Sequence, residues 1–197
     1  MHIVGILLAA GQGTRFGNAK LLAPLPASSH GVTGGTALGA AASLHLMAAL
    51  NEVVAVVRPG DFLLQQVLAA TGARVVVCDR AAEGMGASLA CAVAECADAD
   101  GWLVALADMP WIAPSTIAAV ADALGDGAEI AAASYRGERG HPVGFARRYG
   151  PLLCELTGDE GARSLVAARR WALRLVEVDD AGVLRDVDRP EDLVQTG

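Results

Sequence analysis

Apolar residues recur along the chain in short unbroken runs separated by glycine, proline and charge. The run at 2–8, His-Ile-Val-Gly-Ile-Leu-Leu, predicts a strand buried on both faces. Similar runs at 52–57, 74–78 and 102–107 predict three more strands, rich in valine and leucine. Between them lie apolar helical stretches at 37–50, 62–70 and 84–96, and a fourth follows at 116–124. Thr36 is placed to cap the first, Gly72 to end the second, and Pro114-Ser115 to start the fourth. Four strand–helix repeats of this kind predict an α/β fold, a mostly parallel, doubly wound, Rossmann-like sheet between two helical layers.

The regularity then changes. Residues 130–135 form a strand pattern, 136–140 a charged Arg-Gly-Glu-Arg-Gly turn, and 141–145 a short extended piece. A turn this tight predicts a small antiparallel arm rather than a fifth crossover. Helices are expected at 148–156 and 161–170, and a strand at 172–178. A turn at 179–182, a strand end at 185–188 and a last helix at 191–195 complete the chain. The segment 21–35, broken by Pro24, Pro26 and several glycines, reads as a loop with a mobile tip at 27–30. No repeat or linker divides the chain, so 1–197 is expected to be one domain.

The first strand runs into Leu-Ala-Ala-Gly-Gln-Gly-Thr-Arg-Phe-Gly-Asn-Ala-Lys, residues 8–20. Gly11, Gly13 and Gly17 allow a tight turn and close approach of backbone to a ligand. Arg15 and Lys20 add two cations, and exposed N–H groups with cations suit a polyphosphate. A dinucleotide fingerprint fails here because Phe16 stands where the third glycine belongs. A P-loop fails because no Gly-Lys-Ser/Thr occurs. The stretch is thus either a third kind of phosphate site or a tight turn carrying surface cations.

Parallel sheets bind ligands outside the carboxyl ends of their strands. That rule gathers 11–20, Arg80, the Gly84-Met85-Gly86-Ala87-Ser88 entry and Asp108 on one edge. Asp108 ends an apolar strand, where it fits either a magnesium ligand or a turn before Pro110. Asp186 and Asp188 share one face by alternation. Either could close a metal site, and Asp188 could equally cap the helix after Pro190. His141, in Gly-His-Pro, fits a residue that holds substrate or a loop rather than one that moves a proton. Arg163 and the turn before it could meet a second anion or form an ordinary surface turn.

Composition narrows the partners. The net charge of −7 disfavours non-specific nucleic-acid binding, so an anion must be met locally. Cys78, Cys91, Cys96 and Cys154 form no C-x-x-C pair, which predicts buried free thiols in a reducing cytoplasm. No apolar run reaches the roughly 18–20 residues of a membrane span, so no membrane partner is expected.

Taken together, the motifs resemble those of the molybdenum cofactor cytidylyltransferases, within the MobA-like NTP transferase superfamily. The resemblance rests on Leu8-Ala9-Ala10-Gly11-x-Gly13-x-Arg15-Phe16-Gly17-x-x-Lys20, Gly84-Met85-Gly86-x-Ser88-Leu89 and Leu106-x-Asp108-Met109-Pro110. It continues through Tyr135-x-Gly137-x-Arg139-Gly140-His141-Pro142-Val143, Gly158-Asp159-x-Gly161-Ala162-Arg163 and Asp186-Val187-Asp188-x-Pro190. It implies a three-layer fold of the nucleotide-diphospho-sugar transferase type. It also implies transfer of CMP from CTP to the terminal phosphate of molybdenum-bound molybdopterin, with release of pyrophosphate and a requirement for Mg²⁺.

By motif match, Arg15 and Lys20 would neutralise the triphosphate and Asp108 and Asp188 would hold Mg²⁺. Ala9, Ala10, Gly11 and Gly13 would contact the nucleotide through backbone, with Gly84 and Ser88 completing the base pocket. His141 and Arg163 would face the acceptor. The Ala9-Ala10 pair resembles the CTP-using branch more than the guanylyl-transferring one. The alternatives are transfer from GTP or another NTP to a different phosphate, or a non-catalytic factor that holds the pterin for a molybdoenzyme or its maturation factor. Two departures stand out: a longer loop after Lys20, and Arg189 where a threonine is usual.

Overall fold

The computed structural model describes residues 1–11, 16 and 19–193. Strands β1 (Ile3–Leu8), β2 (Glu52–Val57), β3 (Arg74–Val77) and β4 (Gly101–Leu106) pair in parallel. They continue through β5 (Ile130–Tyr135), β6 (Glu138–Ala146) and β7 (Leu173–Glu177) into one seven-stranded sheet ordered β3-β2-β1-β4-β6-β5-β7. β6 alone runs antiparallel to its neighbours, pairing Val104 with Val143 on one side and Ala132 with Val143 on the other. The antiparallel arm is therefore longer than the extended piece expected at 141–145. It lies inside the sheet, since β6 fills the gap between β4 and β5 and β7 returns parallel to β5.

The unbroken apolar runs follow from burial on both faces. Leu7 of β1 and Leu103 of β4 point into one layer, formed by α1 (Leu38–Ala49), α2 (Phe62–Ala69) and α4 (Pro114–Gly125). Val4, Ile6, Trp102 and Val104 point into the other, formed by α3 (Met85–Glu95), α5 (Gly150–Cys154) and α6 (Arg163–Ala168). Small residues make α1 buried nearly all round, including Ala40, Ala41 and Ala42. No helix among the described residues is long and apolar enough to cross a membrane.

Several boundaries differ from the sequence reading. α1 starts at Leu38 without a side-chain cap from Thr36; the Ala23 carbonyl accepts the Leu38 N–H at 2.9 Å instead. The segments 148–156 and 161–170 give only the short α5 and α6, flanked by 3₁₀ turns. Residues 185–188 form no strand, and 190–193 is a 3₁₀ turn. Cys78 and Cys96 are buried, but Cys91 is half-buried and Cys154 exposed.

The 21–35 loop is pinned at the tip expected to move. Ser29 and Val32 exchange backbone hydrogen bonds, and His45 lies 3.1 Å from the Ser29 carbonyl. Leu25 and Val32 bury themselves against Leu38, Trp111 and Val187. The loop thus backs the C-terminal segment that carries Asp186 and Asp188.

That segment is held at three more points. Gly140 and Gly182 let backbone meet backbone: a Cβ on Gly140 would lie 2.0 Å from the Val183 carbonyl oxygen, and one on Gly182 would lie 2.3 Å from that of Trp111. Asp180 accepts hydrogen bonds from the Ala113 N–H (2.8 Å), the Thr116 hydroxyl (2.7 Å) and the Gly182 N–H (2.9 Å). One carboxylate therefore caps α4 and its own turn. Asp180→Ala leaves these donors unpaired and should cost about 2–3 kcal/mol of unfolding free energy in urea titrations. An unchanged midpoint would show that the cap contributes nothing.

Candidate active site

The carboxyl ends of β1, β2, β3 and β4 open on a cleft of about 840 Å³. β1 ends in Ala9, Ala10 and Gly11, which line it through backbone and small side chains. Here the chain leaves the strand register, and Ala9 N–H reaches across to the Val56 carbonyl at 2.9 Å. The loop returns at Lys20, in a short 3₁₀ turn over Lys20–Leu22. Gly13 and Arg15 lie outside the described residues.

Lys20 reaches the strand ends from the side. Its Nζ donates to Asp108 Oδ2 at 2.8 Å and to Asp188 Oδ1 at 3.3 Å. The lysine side chain is only 10% exposed, against 26% for Asp108 and 48% for Asp188. Asp108 follows β4, and its backbone carbonyl accepts the Val187 N–H at 2.9 Å. That one bond ties the C-terminal segment to the end of the central sheet, next to Asp188. Asp192 turns back, and its Oδ2 accepts from the backbone N–H of Asp188 (2.9 Å) and Arg189 (2.7 Å).

The charges form one group. Asp186 has its carboxyl held above its usual value, first by partial desolvation and further by the charges of Asp188 and Asp108, while Lys20 opposes the rise. Asp108 Oδ1 is buried and has no hydrogen-bond partner among the described residues. A buried carboxylate oxygen without a donor fits a divalent cation. Among the described residues no three His, Cys, Asp or Glu side chains are arranged to hold an ion by themselves. Two carboxylates with phosphate oxygens from a substrate suit Mg²⁺ or Mn²⁺, which seldom use an all-protein cage.

On the other side of the cleft, Gly84 and Gly86 at the start of α3 make room for residues 157–159. A Cβ on Gly84 would lie 2.4 Å from the Gly158 carbonyl carbon, and one on Gly86 would lie 2.5 Å from the Thr157 oxygen. The Gly86 N–H donates to the Gly158 carbonyl at 2.7 Å. These glycines serve packing as much as ligand approach. Ser88 is buried and its hydroxyl donates to the Gly84 carbonyl at 3.3 Å, yet it still lines the cleft.

His141 and Arg163 are not in this cleft. They line a neighbouring pocket of about 150 Å³ with Arg139, between β4 and β6 on one side and α3 and α6 on the other. Leu8, Met85 and Leu106 belong to both hollows, so the two adjoin. His141 Nδ1 is buried without a partner among the described residues. Burial lowers the His141 pKa, offset in part by the Val104 carbonyl, so the ring is neutral at neutral pH.

Arg58 and Asp61 after β2, and Asp159, also line the cleft and were missed by the sequence reading. Arg58 donates to Asp61 at 2.7 Å. The strand-end rule alone would have found both, since they follow β2 as Asp108 follows β4. Asp159 carries no such positional signal.

Comparison with known proteins agrees with this geometry. The family model of the MobA-like NTP transferase domain matches residues 5–175. The chain is similar to the purine catabolism protein PucB of Bacillus subtilis (strain 168), with 31% identity over 97% of this chain and 94% of PucB. It is 30% identical to the nicotine blue oxidoreductase of Paenarthrobacter nicotinovorans over the same shares. Among solved structures it resembles Rv0371c from Mycobacterium tuberculosis H37Rv, with a TM-score of 0.79 and 32% identity over 97% of this chain and 94% of that one. A manganese complex of Rv0371c gives a TM-score of 0.77, with 29% identity over 98% of this chain and 96% of that one. The fold and the family match define a nucleotidyltransferase of the nucleotide-diphospho-sugar transferase type. Within that class, the chain belongs to the MobA-like NTP transferase family, and its substrate is a nucleoside triphosphate.

A pH dependence follows from the histidines. Burial depresses the pKa of both His45 and His141, while an unfolded histidine titrates near 6.5. Below that pH the unfolded chain takes up protons that the folded one refuses, so stability falls as pH drops through about 6.5. Urea midpoints should decline from pH 7.5 to 5.5, and His45→Gln with His141→Gln should flatten the decline. An equal slope in the double variant would refute the assignment.

Proposed function

We propose that the chain transfers CMP from CTP to the terminal phosphate of molybdenum-bound molybdopterin, with Mg²⁺ and release of pyrophosphate. The observation that carries the reading is the grouping of Lys20, Asp108 and Asp188 at the mouth of the NTP cleft. Family membership supplies the triphosphate. The Ala9-Ala10 pair and the Arg139-Gly140-His141-Pro142 and Gly158–Arg163 motifs support the choice of base and acceptor by resemblance. The manganese complex of Rv0371c supports a divalent ion.

In this reading an oxygen of the acceptor phosphate attacks the α-phosphorus of CTP. The new P–O bond forms as the bond from the α-phosphorus to the bridging oxygen breaks, and pyrophosphate leaves with that electron pair. The attacking oxygen is already anionic, so no general base is needed; positioning and charge neutralisation supply the rate. Lys20, with Arg15, neutralises charge gathering on the α-phosphate. Asp108 and Asp188 would hold the Mg²⁺, which would neutralise the triphosphate. Ala9, Ala10, Gly11 and Gly13 meet the nucleotide through backbone, and Gly84 and Ser88 close the base side. His141 and Arg163 hold the acceptor in the adjoining pocket, and the neutral ring serves as a hydrogen-bonding group.

Intact Lys20 and Asp108 favour catalysis over a non-catalytic carrier. The purified chain with CTP, Mg²⁺ and molybdenum-bound molybdopterin should release one pyrophosphate per acceptor modified, faster than with GTP. Lys20→Met and Asp108→Asn should each lower turnover by about 10²–10³-fold without moving the melting temperature by more than a few degrees. Nucleotide binding without pyrophosphate release would point to the carrier. Faster turnover of GTP, or of another phosphate acceptor, would reassign the substrate.

A further inference from the structure

Lys20 occupies the space that two metal-holding carboxylates would share. Its Nζ lies 2.8 Å from Asp108 Oδ2 and 3.3 Å from Asp188 Oδ1, on a side chain that is 10% exposed. A Mg²⁺ or Mn²⁺ ion bridging these residues would stand about 2.0–2.2 Å from an oxygen of each. Ammonium and metal ion therefore compete for the same two carboxylates, and in a partly buried site their like charges repel strongly. The remaining oxygen of Asp108, Oδ1, is closed off from solvent. An ion arriving alone thus finds both carboxylates already paired with Lys20.

We infer that Lys20 is, among the described residues, the resident counter-cation of Asp108 and Asp188 in the free protein, and that the divalent ion enters as its nucleoside triphosphate chelate. This rests on the metal-dependent reading proposed above. Without nucleotide, the ammonium holds Asp108 and Asp188 together and keeps a bare ion out. When the chelate arrives, its phosphates offer Lys20 new anionic partners. The ammonium moves from carboxylates to phosphate as the ion takes the carboxylates. The exchange conserves charge pairing: each cation leaves with an anionic partner, and no carboxylate is stranded in the cleft. One lysine then serves twice, first as a place-holder and then as the group that neutralises the triphosphate.

Mn²⁺ binding to the intact chain, read from the electron paramagnetic resonance of the free ion at pH 7.5, tests this. Without nucleotide, Lys20→Met should bind Mn²⁺ at least about tenfold more tightly than wild type, because the competing cation is gone. Lys20→Gln, which keeps a polar but uncharged group, should change in the same direction. Adding Asp108→Asn to Lys20→Met should abolish the gain, locating it at this site. Wild type should hold Mn²⁺ tightly once a non-hydrolysable CTP analogue with a methylene between its α- and β-phosphorus atoms is added. If both lysine variants bind Mn²⁺ no more tightly than wild type, the place-holder role is wrong, even if the ternary complex forms. If no protein-bound Mn²⁺ forms with the analogue in any variant, the metal reading beneath it fails, and the inference with it.

Discussion

One ammonium group facing two carboxylates is the constraint around which the rest of the site is built. Lys20 comes from the glycine loop after β1, Asp108 from the end of β4, and Asp188 from the C-terminal segment, 168 residues beyond Lys20. Lys20 is the most buried of the three charges, and the fold delivers two carboxylates to its ammonium. β1 and β4 are hydrogen-bonded neighbours in the sheet centre, which places Lys20 and Asp108 side by side. Asp188 has no strand to carry it and depends on a chain of local anchors.

Those anchors explain features that otherwise look incidental. Gly140 and Gly182 permit backbone contacts that any side chain would block, Asp180 caps two elements at once, and the Val187 N–H closes on the Asp108 carbonyl. Arg185 stacks over Trp111 at 4.3 Å from the ring centroid, and Trp111 packs with Leu25 and Val32 of the 21–35 loop. That loop thus provides a second wall for the segment bearing Asp188. On the far side, Gly84 and Gly86 let the 157–159 backbone close against α3, which leaves Met85 between the large cleft and the smaller His141 pocket.

Much of this was legible in the residues, and the reasons are physical. Strands buried on both faces read as continuous apolar runs, so β1, β2, β4 and β5 fell where the pattern put them. The strand-end rule gathered Gly11, Lys20, Arg80, Gly84, Ser88 and Asp108, and all but Arg80, which pairs with Glu83, line the cleft. The placement of β6 inside the sheet was not legible, because a tight turn specifies a hairpin but not which neighbour its outer edge finds. Asp188 read equally as a metal ligand and as a helix cap, because Asp-x-Pro has that local chemistry; the bonds from the Asp188 and Arg189 N–H groups to Asp192 are local as well, but the pattern did not single them out. The 27–30 tip looked mobile because its residues are small and polar, yet His45 on α1 and Trp111 fix it from a distance. The split between the cleft and the His141–Arg163 pocket depends on which strands border which helices, and spacing does not report that.

The most direct test of the account is a crystal structure of the chain with a non-hydrolysable CTP analogue and Mn²⁺, read by the anomalous signal of manganese. The account predicts a manganese peak about 2.2 Å from an oxygen of Asp108 and one of Asp188, with Lys20 Nζ on the triphosphate. A manganese peak away from both carboxylates, or Lys20 still lodged between them with nucleotide bound, would contradict it.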